Sequence, residues 1–388
     1  MISKSDRAYL DWNATTPLRP EARSAMMAAF DVIGNPSSVH AGGREARGVI
    51  EGARTIVAAA TGAEARNVVF TAGGTEANAI ALSPGLRHGP ERPVEHLVVS
   101  AIEHSSVLEG GRFAPAAISI APVTSEGVVD LVALRDLLAA LPPSLVSVML
   151  ANNETGAIQP IAKVAELVRE FGGVLHVDAV QAFGKIPLNI KELHCDLLTI
   201  SAHKLGGPKG VGALVLGDKI EGVEALVKGG GQERGRRAGT ENVIGIAGFG
   251  AAAEAAMRDL ANFAARTVDL RNRLESGLKE VPGVVVFSET LPRLPNTTMF
   301  AAPGLRAETA VIAFDLEGVA VSSGSACSSG KVKASRVLTA MGAPEELARA
   351  GVRLSLGWET EAKHIDLCLK AFKKLAKSLS RSDDRALG

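Results

Sequence analysis

The sequence predicts an α/β protein: a mostly parallel sheet covered by helices on both faces, followed by a smaller α+β unit. Three observations predict it. Short β-rich apolar runs alternate with Ala-rich helical stretches between about residues 67 and 216. A long Ala-rich segment with few helix breakers follows. Beyond it, strand-like runs are mixed with helical patterns.

In chain order, the N-terminus MISKSDRAYLDW has no long apolar stretch and does not read as a signal peptide. Strands are expected at 67–71, 96–100, 145–150, 174–178, 196–201 and 211–216, with helical patterns between several of them, such as 161–171. Crossovers between parallel strands are expected to be right-handed. Residues 242–280 read as one long helix or two. Strands at 283–288, 297–301, 319–323 and 351–356, with helices near 307–315 and 361–377, make the second unit. The final SRSDDRALG is polar and is expected to fray.

Composition narrows the function classes. The chain has 388 residues, 46% hydrophobic and 22% charged, which suits a folded protein and not a disordered one. Lys plus Arg and Asp plus Glu number 42 each. A neutral chain lacks the basic field of a dedicated nucleic-acid or acidic-membrane binder. No run approaches the roughly 18 to 20 apolar residues that span a bilayer. The cysteines are Cys195, Cys327 and Cys368, with no CxxC pair, so neither a disulfide framework nor a structural metal site is expected. A reduced, cytoplasmic protein is the expectation.

Four segments can carry chemistry. ISAHKLGGPKG at 200–210 follows a strand and is too rich in Gly and Pro for a helix. It reads as a loop at a strand's C-terminal end, where open α/β sheets bind ligands. A lysine there, Lys204, becomes a nucleophile toward carbonyls if its charged form is disfavoured, although most loop lysines are simply solvated. HVDAVQ at 176–181 is a strand ending in Asp178, an acid that is costly to bury without a cation or donors, or else a helix cap. TAGGTEAN at 71–78 joins a strand to a helix through two glycines, which suits an anion or an ordinary capped turn. Cys327, in SSGSACSSG, has small polar neighbours on both sides. That setting predicts a mobile, exposed loop and a candidate reactive thiol, whereas Cys195 and Cys368 read as core.

Three further patterns carry less. GSACSSGK is one residue too long for a P-loop, and Val332 stands where a magnesium-binding hydroxyl is needed. GFGAAA at 248–253 matches a dinucleotide fingerprint but sits inside a helical pattern. ERGRR at 233–237 lacks flanking aromatics, which favours a phosphate or subunit contact over RNA.

An anion turn, a strand-end Asp, a loop Lys beside His and a separate Cys fit a pyridoxal-phosphate enzyme with a thiol nucleophile. With YLDWNATTP, GNPSSVH, TAGGTEAN, AIEHSSVL, ANNETG, HVDAVQ, SAHKLGGPKG, RRAGTEN, SSGSACSSG and RLSLG in order along nearly the whole chain, the sequence resembles the cysteine desulfurases of the NifS/IscS type, in their long-loop group. The resemblance implies fold-type I architecture: a large cofactor-binding domain over 15–257 with a mostly parallel seven-stranded sheet, and a small α+β domain of 1–14 and 258–388 carrying the Cys327 loop.

It also implies roles. Lys204 is the Schiff-base lysine and α-proton base. Asp178 pairs with the pyridinium nitrogen of pyridoxal 5'-phosphate, and Gln181 and Asn153 bond the ring hydroxyl oxygen. His104 stacks on the ring and moves protons. Gly74, Thr75, Ser201 and His203 hold the phosphate, joined by Thr240 of the partner subunit. Arg353 grips the substrate carboxylate with help from Asn35. Cys327 takes the sulfur of L-cysteine as a persulfide and passes it to an acceptor protein such as an Fe–S scaffold. No resident metal is implied, beyond Cys327 as a transient Fe–S ligand. The chain departs from many members at Asn78-Ala79, where two Asn are common, and it lacks an extended C-terminal docking tail. A related fold-type I enzyme, a selenocysteine lyase or an aminotransferase, is the competing enzyme reading. A sulfur carrier or RNA-binding module leaves Lys204 and Asp178 unexplained.

Overall fold

The computed structural model describes residues 7–88, 94–324 and 334–386, with side chains in the last helix described to residue 378. Seven strands form the main sheet: β1 (Val68–Thr71), β2 (Leu97–Ser100), β3 (Ile118–Ala121), β4 (Leu145–Ser147), β5 (Val174–Asp178), β6 (Leu197–Ser201) and β7 (Gly212–Leu216). Their order is β1-β7-β6-β5-β4-β2-β3. β2 through β6 pair in parallel, and β7 runs antiparallel to both its neighbours. The sheet is therefore mostly parallel and seven-stranded, as expected. Except for β3, each of its strands is buried along its whole length, so both faces are apolar and the runs read as continuous.

β3 was not among the expected strands. It is the edge of the sheet, its ISIA run is only partly buried, and Ile120 is exposed. Neither a buried apolar block nor a clean alternation marks it.

Helices α1 (Pro20–Ala29), α2 (Ala41–Thr61) and α3 (Gly74–Ala81) precede or follow β1, and α4 (Leu131–Ala139) and α5 (Ile161–Glu170) fill two crossovers. The ambiguous long segment is one helix, α6 (Val243–Lys279). It packs against α1 and α2. The contact with α2 is close: a Cβ at Gly250 would stand 2.8 Å from the Cα of Ala53. The GFGAAA pattern thus belongs to a helix seam.

The smaller unit is a four-stranded antiparallel sheet of β8 (Val285–Val286), β9 (Thr297–Ala301), β10 (Ser322–Ser323) and β11 (Val352–Ser355), in the order β8-β9-β11-β10. It is covered by α7 (Ala307–Leu316) and α8 (Ala362–Ala386). Its core contains Phe300, Phe314 and Phe372, and also Ala8 and Leu10 from the N-terminus. The single strand expected at 319–323 divides: Val319–Ala320 pairs in parallel with Ala8–Tyr9, while Ser322–Ser323 joins β11. The tail expected to fray continues α8 to Ala386.

Candidate active site

The C-terminal ends of the parallel strands lie along one edge of the sheet, and the strand-to-helix turns there bring the candidate residues together. β6 ends at Ser201, and one tight helical turn, Ala202–Lys204, carries the lysine back over that edge. Lys204 Nζ donates to the main-chain oxygens of Asn13 at 2.5 Å and Ala14 at 2.8 Å. Burial, and after it the Arg353 charge, lowers its pKa to about 8 against the opposing charges of Asp11 and Asp178. An amine near that value is available as a base close to neutrality. His203, beside it, is pushed down to about 4, chiefly by burial and then by the Lys204 charge. Its Nδ1 lies 3.2 Å from Thr15 Oγ1.

β5 ends at Asp178, which is buried. One carboxylate oxygen accepts the Val180 N–H at 2.9 Å, and the other accepts from Asn78 Nδ2 at 2.9 Å. Asn78 Nδ2 also donates to Ser106 Oγ, which sits 2.9 Å from His104 Nδ1. Asp178, Asn78, Ser106 and His104 thus form one connected line. His104 is solvent-accessible at the start of the short helix Ser105–Leu108. Surrounding protein lowers its pKa, Asp178 pulls it up, and Lys204 pushes it down.

Gly74 and Thr75 open α3 at the same edge, with Thr75 exposed. Gly74 is small for a reason, because a Cβ there would come 2.8 Å from Val180 Cγ2. Gln181 is buried and donates to the Asn13 main-chain oxygen at 3.0 Å.

The smaller unit contributes Arg353 on β11. One terminal nitrogen donates to the Asn153 main-chain oxygen at 3.0 Å, and the other to Asp11 Oδ1 at 2.7 Å. Both terminal nitrogens are thus engaged, and Nε has no partner. Asn153 meets the site through its main chain. Among the described residues no hydrogen bond brings Asn35 or Thr240 to these groups. Asn35 is exposed and its side chain caps its own turn, accepting from Ser37 N–H at 2.9 Å. Thr240 is exposed in a loop tied to α3 by Arg237, whose Nε meets Glu76 Oε1 at 3.0 Å.

Cys327 lies outside the described residues. Close to that stretch, Ser335 Oγ donates to Glu154 Oε2 at 2.6 Å, and a Cβ at Gly324 would stand 2.5 Å from the same atom. Cys195 and Cys368 are buried core residues, as expected. Burial raises both thiols, Cys368 to about 12. His176, on the same strand as Asp178, is a buried structural residue held by Ser147 and Thr199 hydroxyls at 2.8 and 3.0 Å.

Five polar residues of the site escaped the sequence reading: Asp11, Asn13, Asn78, Glu103 and Lys185. Asp11 and Asn13 lie inside YLDWNATTP, and Asn78 ends TAGGTEAN, so the motifs marked the places without giving roles. Glu103 is buried beside His104. Its Oε1 accepts from Ser100 Oγ and Met149 N–H, its Oε2 has no partner, and burial raises its pKa to about 8. Lys185 had no signal, since its flanks are apolar.

The donor set suits pyridoxal phosphate. A buried carboxylate at the end of β5 suits a ring nitrogen, a lysine amine of lowered pKa can meet an aldehyde, and small and hydroxyl residues at the start of α3 and the end of β6 suit a phosphate. Buried Asn78 Oδ1 and Arg353 Nε are still without partners in the protein. Among the described residues, no cluster of His, Cys, Asp or Glu could hold a metal.

The chain's relatives are found along nearly its whole length. The class-V aminotransferase pattern matches residues 8–368. A cysteine desulfurase of Sinorhizobium fredii is 43% identical over 381 residues, covering 96% of this chain and 97% of the relative. The cysteine desulfurase IscS of Dictyoglomus turgidum is 41% identical, covering 96% and 95%. The solved structure of a NifS-like protein from Rickettsia africae superposes with a TM-score of 0.87 at 36% identity, covering 96% and 99%. The chain belongs to the class-V aminotransferase family of pyridoxal-phosphate-dependent enzymes, among its cysteine desulfurases of the NifS/IscS type.

Proposed function

We propose that the chain takes sulfur from L-cysteine, releasing L-alanine and leaving a persulfide on Cys327. The observation that carries this is the placing of Lys204, with its lowered pKa, and of Asp178, buried and tied through Asn78 and Ser106 to His104, at the C-terminal ends of neighbouring parallel strands. Bound pyridoxal phosphate supplies the electron sink that lets the substrate Cα–H bond break. Asp178 would hold the ring nitrogen, Gln181 and Asn153 the ring hydroxyl oxygen, and Gly74, Thr75, Ser201 and His203 the phosphate.

The remaining work belongs to the chain's own groups. Arg353, braced by Asp11, presents a guanidinium to the substrate carboxylate. Lys204 takes the α-proton at Nζ. His104 carries protons between the substrate and solvent at the open side of the cleft. The Cys327 thiolate attacks the substrate sulfur: an S–S bond forms, the C–S bond breaks, and the electron pair and a proton pass to the carbon skeleton that leaves as alanine.

The finer proposals follow. The enzyme is a homodimer in which Thr240 of the partner subunit reaches the phosphate, and Asn35 assists at the carboxylate. The domain division at 15 and 257 is supported by the apolar clusters, two packed on the large sheet and a third in the smaller unit, with α6 running through the second boundary. The enzyme works in the cytoplasm and hands its sulfur to an acceptor protein such as an Fe–S scaffold. Among the described residues no helix is long and apolar enough to cross a membrane.

Lys204→Ala removes both the carbonyl-binding amine and the α-proton base. It should abolish alanine release, a loss of at least about 1,000-fold, while thermal unfolding of the apoprotein moves little. Near-normal alanine production by this variant without added amines would sink the assignment.

A further inference from the structure

Lys185 is nearly sealed from solvent at 3% exposure and is given no part in the chemistry above. It follows Gln181 by four residues in the turn after β5. Among the described residues its amine meets no carboxylate. It donates to two neutral oxygens, Asn13 Oδ1 at 2.9 Å and Gln181 Oε1 at 2.8 Å. Burial depresses its pKa strongly, and the nearby Lys204 and Arg353 charges add to that. A buried lysine without a counter-ion is costly. A methionine or leucine would fill the space more cheaply, so the donors themselves need a reason.

The reason lies in what the amine offers. Even when neutral it keeps two N–H groups, and the two amide oxygens within hydrogen-bond distance take them. Gln181 accordingly turns its amide oxygen toward Lys185, which leaves its NH2 group for the Asn13 main-chain oxygen. Asn13 is fixed by the same logic. Its amide oxygen receives Lys185 and, at 3.3 Å, Asn296, so its NH2 group faces Thr297 at 2.9 Å and Asn153 O at 3.3 Å. The Asn13 main-chain oxygen in turn holds both Gln181 and the Lys204 amine. One buried amine thereby sets the orientation of two amides, and the second amide links β9 of the smaller unit to the Lys204 loop.

We propose that Lys185 is a positioning residue that orients the Gln181 amide toward the cofactor's ring oxygen and, through Asn13, sets the place of the Lys204 amine. This rests on the cofactor reading above and adds a residue to it.

A mutant cycle on pyridoxal-phosphate binding tests it. Apoprotein is titrated with pyridoxal phosphate and followed by absorbance, for wild type, Lys185→Met, Gln181→Ala and the double variant. Lys185→Met keeps the length and apolar body of the side chain. It should weaken cofactor binding about tenfold, the scale of one lost buried hydrogen bond, and shift the pH midpoint of the visible band. The double variant should lose less than the sum of the two single losses, because both substitutions break the Lys185–Gln181 contact. Fully additive losses, or wild-type binding and an unshifted midpoint in Lys185→Met, would overturn the proposal. Should Lys185→Met not fold, Lys185→Gln, which keeps one donor, takes its place in the same cycle. Coupled binding in a protein that yields no alanine from cysteine would support this inference while refuting the reaction.

Discussion

His176 and His104 illustrate how neighbours decide what a residue does. Both lie near Asp178. His104 opens to solvent and joins the line that reaches Asp178, whereas His176 is shut between two hydroxyls and pushed down to about 4 by burial. The folded pKa of His176 lies below its ordinary 6.5. The unfolded chain therefore takes the proton first as pH falls. The stability this residue contributes is complete above about pH 6.5 and is lost progressively toward pH 4, on the order of 3 kcal/mol. Urea unfolding of the apoprotein between pH 7 and 4 should show that loss, and His176→Asn should flatten it. An unchanged slope in the variant would show that His176 does not carry the titration. Legibility at this scale followed local pattern. Lys204 could be read because a Gly/Pro-rich loop after a strand has a known place in α/β sheets. Lys185 could not, because its role comes from Asn13, 172 residues away.

At the scale of elements, buried strands were legible because helices cover both faces and leave unbroken apolar runs. Edges and splits were not. β3 exposes Ile120, and residues 319–323 serve two sheets, a division set by where the N-terminus pairs. The seam between α2 and α6 gives a prediction of opposite signs at two glycines. At Gly250 a side chain meets the Ala53 main chain at 2.8 Å, and at Gly52, exposed on α2, nothing lies within 4 Å. Gly250→Val should cost about 1–3 kcal/mol by overpacking. Gly52→Ala should gain about 0.5–1 kcal/mol from helix propensity. Thermal unfolding of the two variants checks both, and a Gly250→Val protein as stable as wild type would mean the seam is looser than described.

For the whole molecule, the cleft is built where two sheets meet. The large sheet brings Lys204 and Asp178, the small one brings Arg353, and Asn13 and Asp11 join them. Thr240 stands outside this single-chain arrangement, as the proposal that it serves the partner's site requires. Mixing Lys204→Ala subunits with Thr240→Asp subunits should restore part of the activity that each lacks alone, because one site of the hybrid then holds its own Lys204 and Arg353 together with an intact Thr240 of the partner subunit. No recovery, with hybrids demonstrated by mass, would place Thr240 outside the site.

The central claim is that sulfur leaves cysteine on one thiol of this chain, and the mass of the protein after limiting L-cysteine reads it directly. The account predicts one added sulfur atom, on the peptide containing Cys327, absent from Cys327→Ser even though that variant still binds pyridoxal phosphate. A sulfur mapped to Cys195 or Cys368, or alanine release at the wild-type rate by Cys327→Ser, would contradict it.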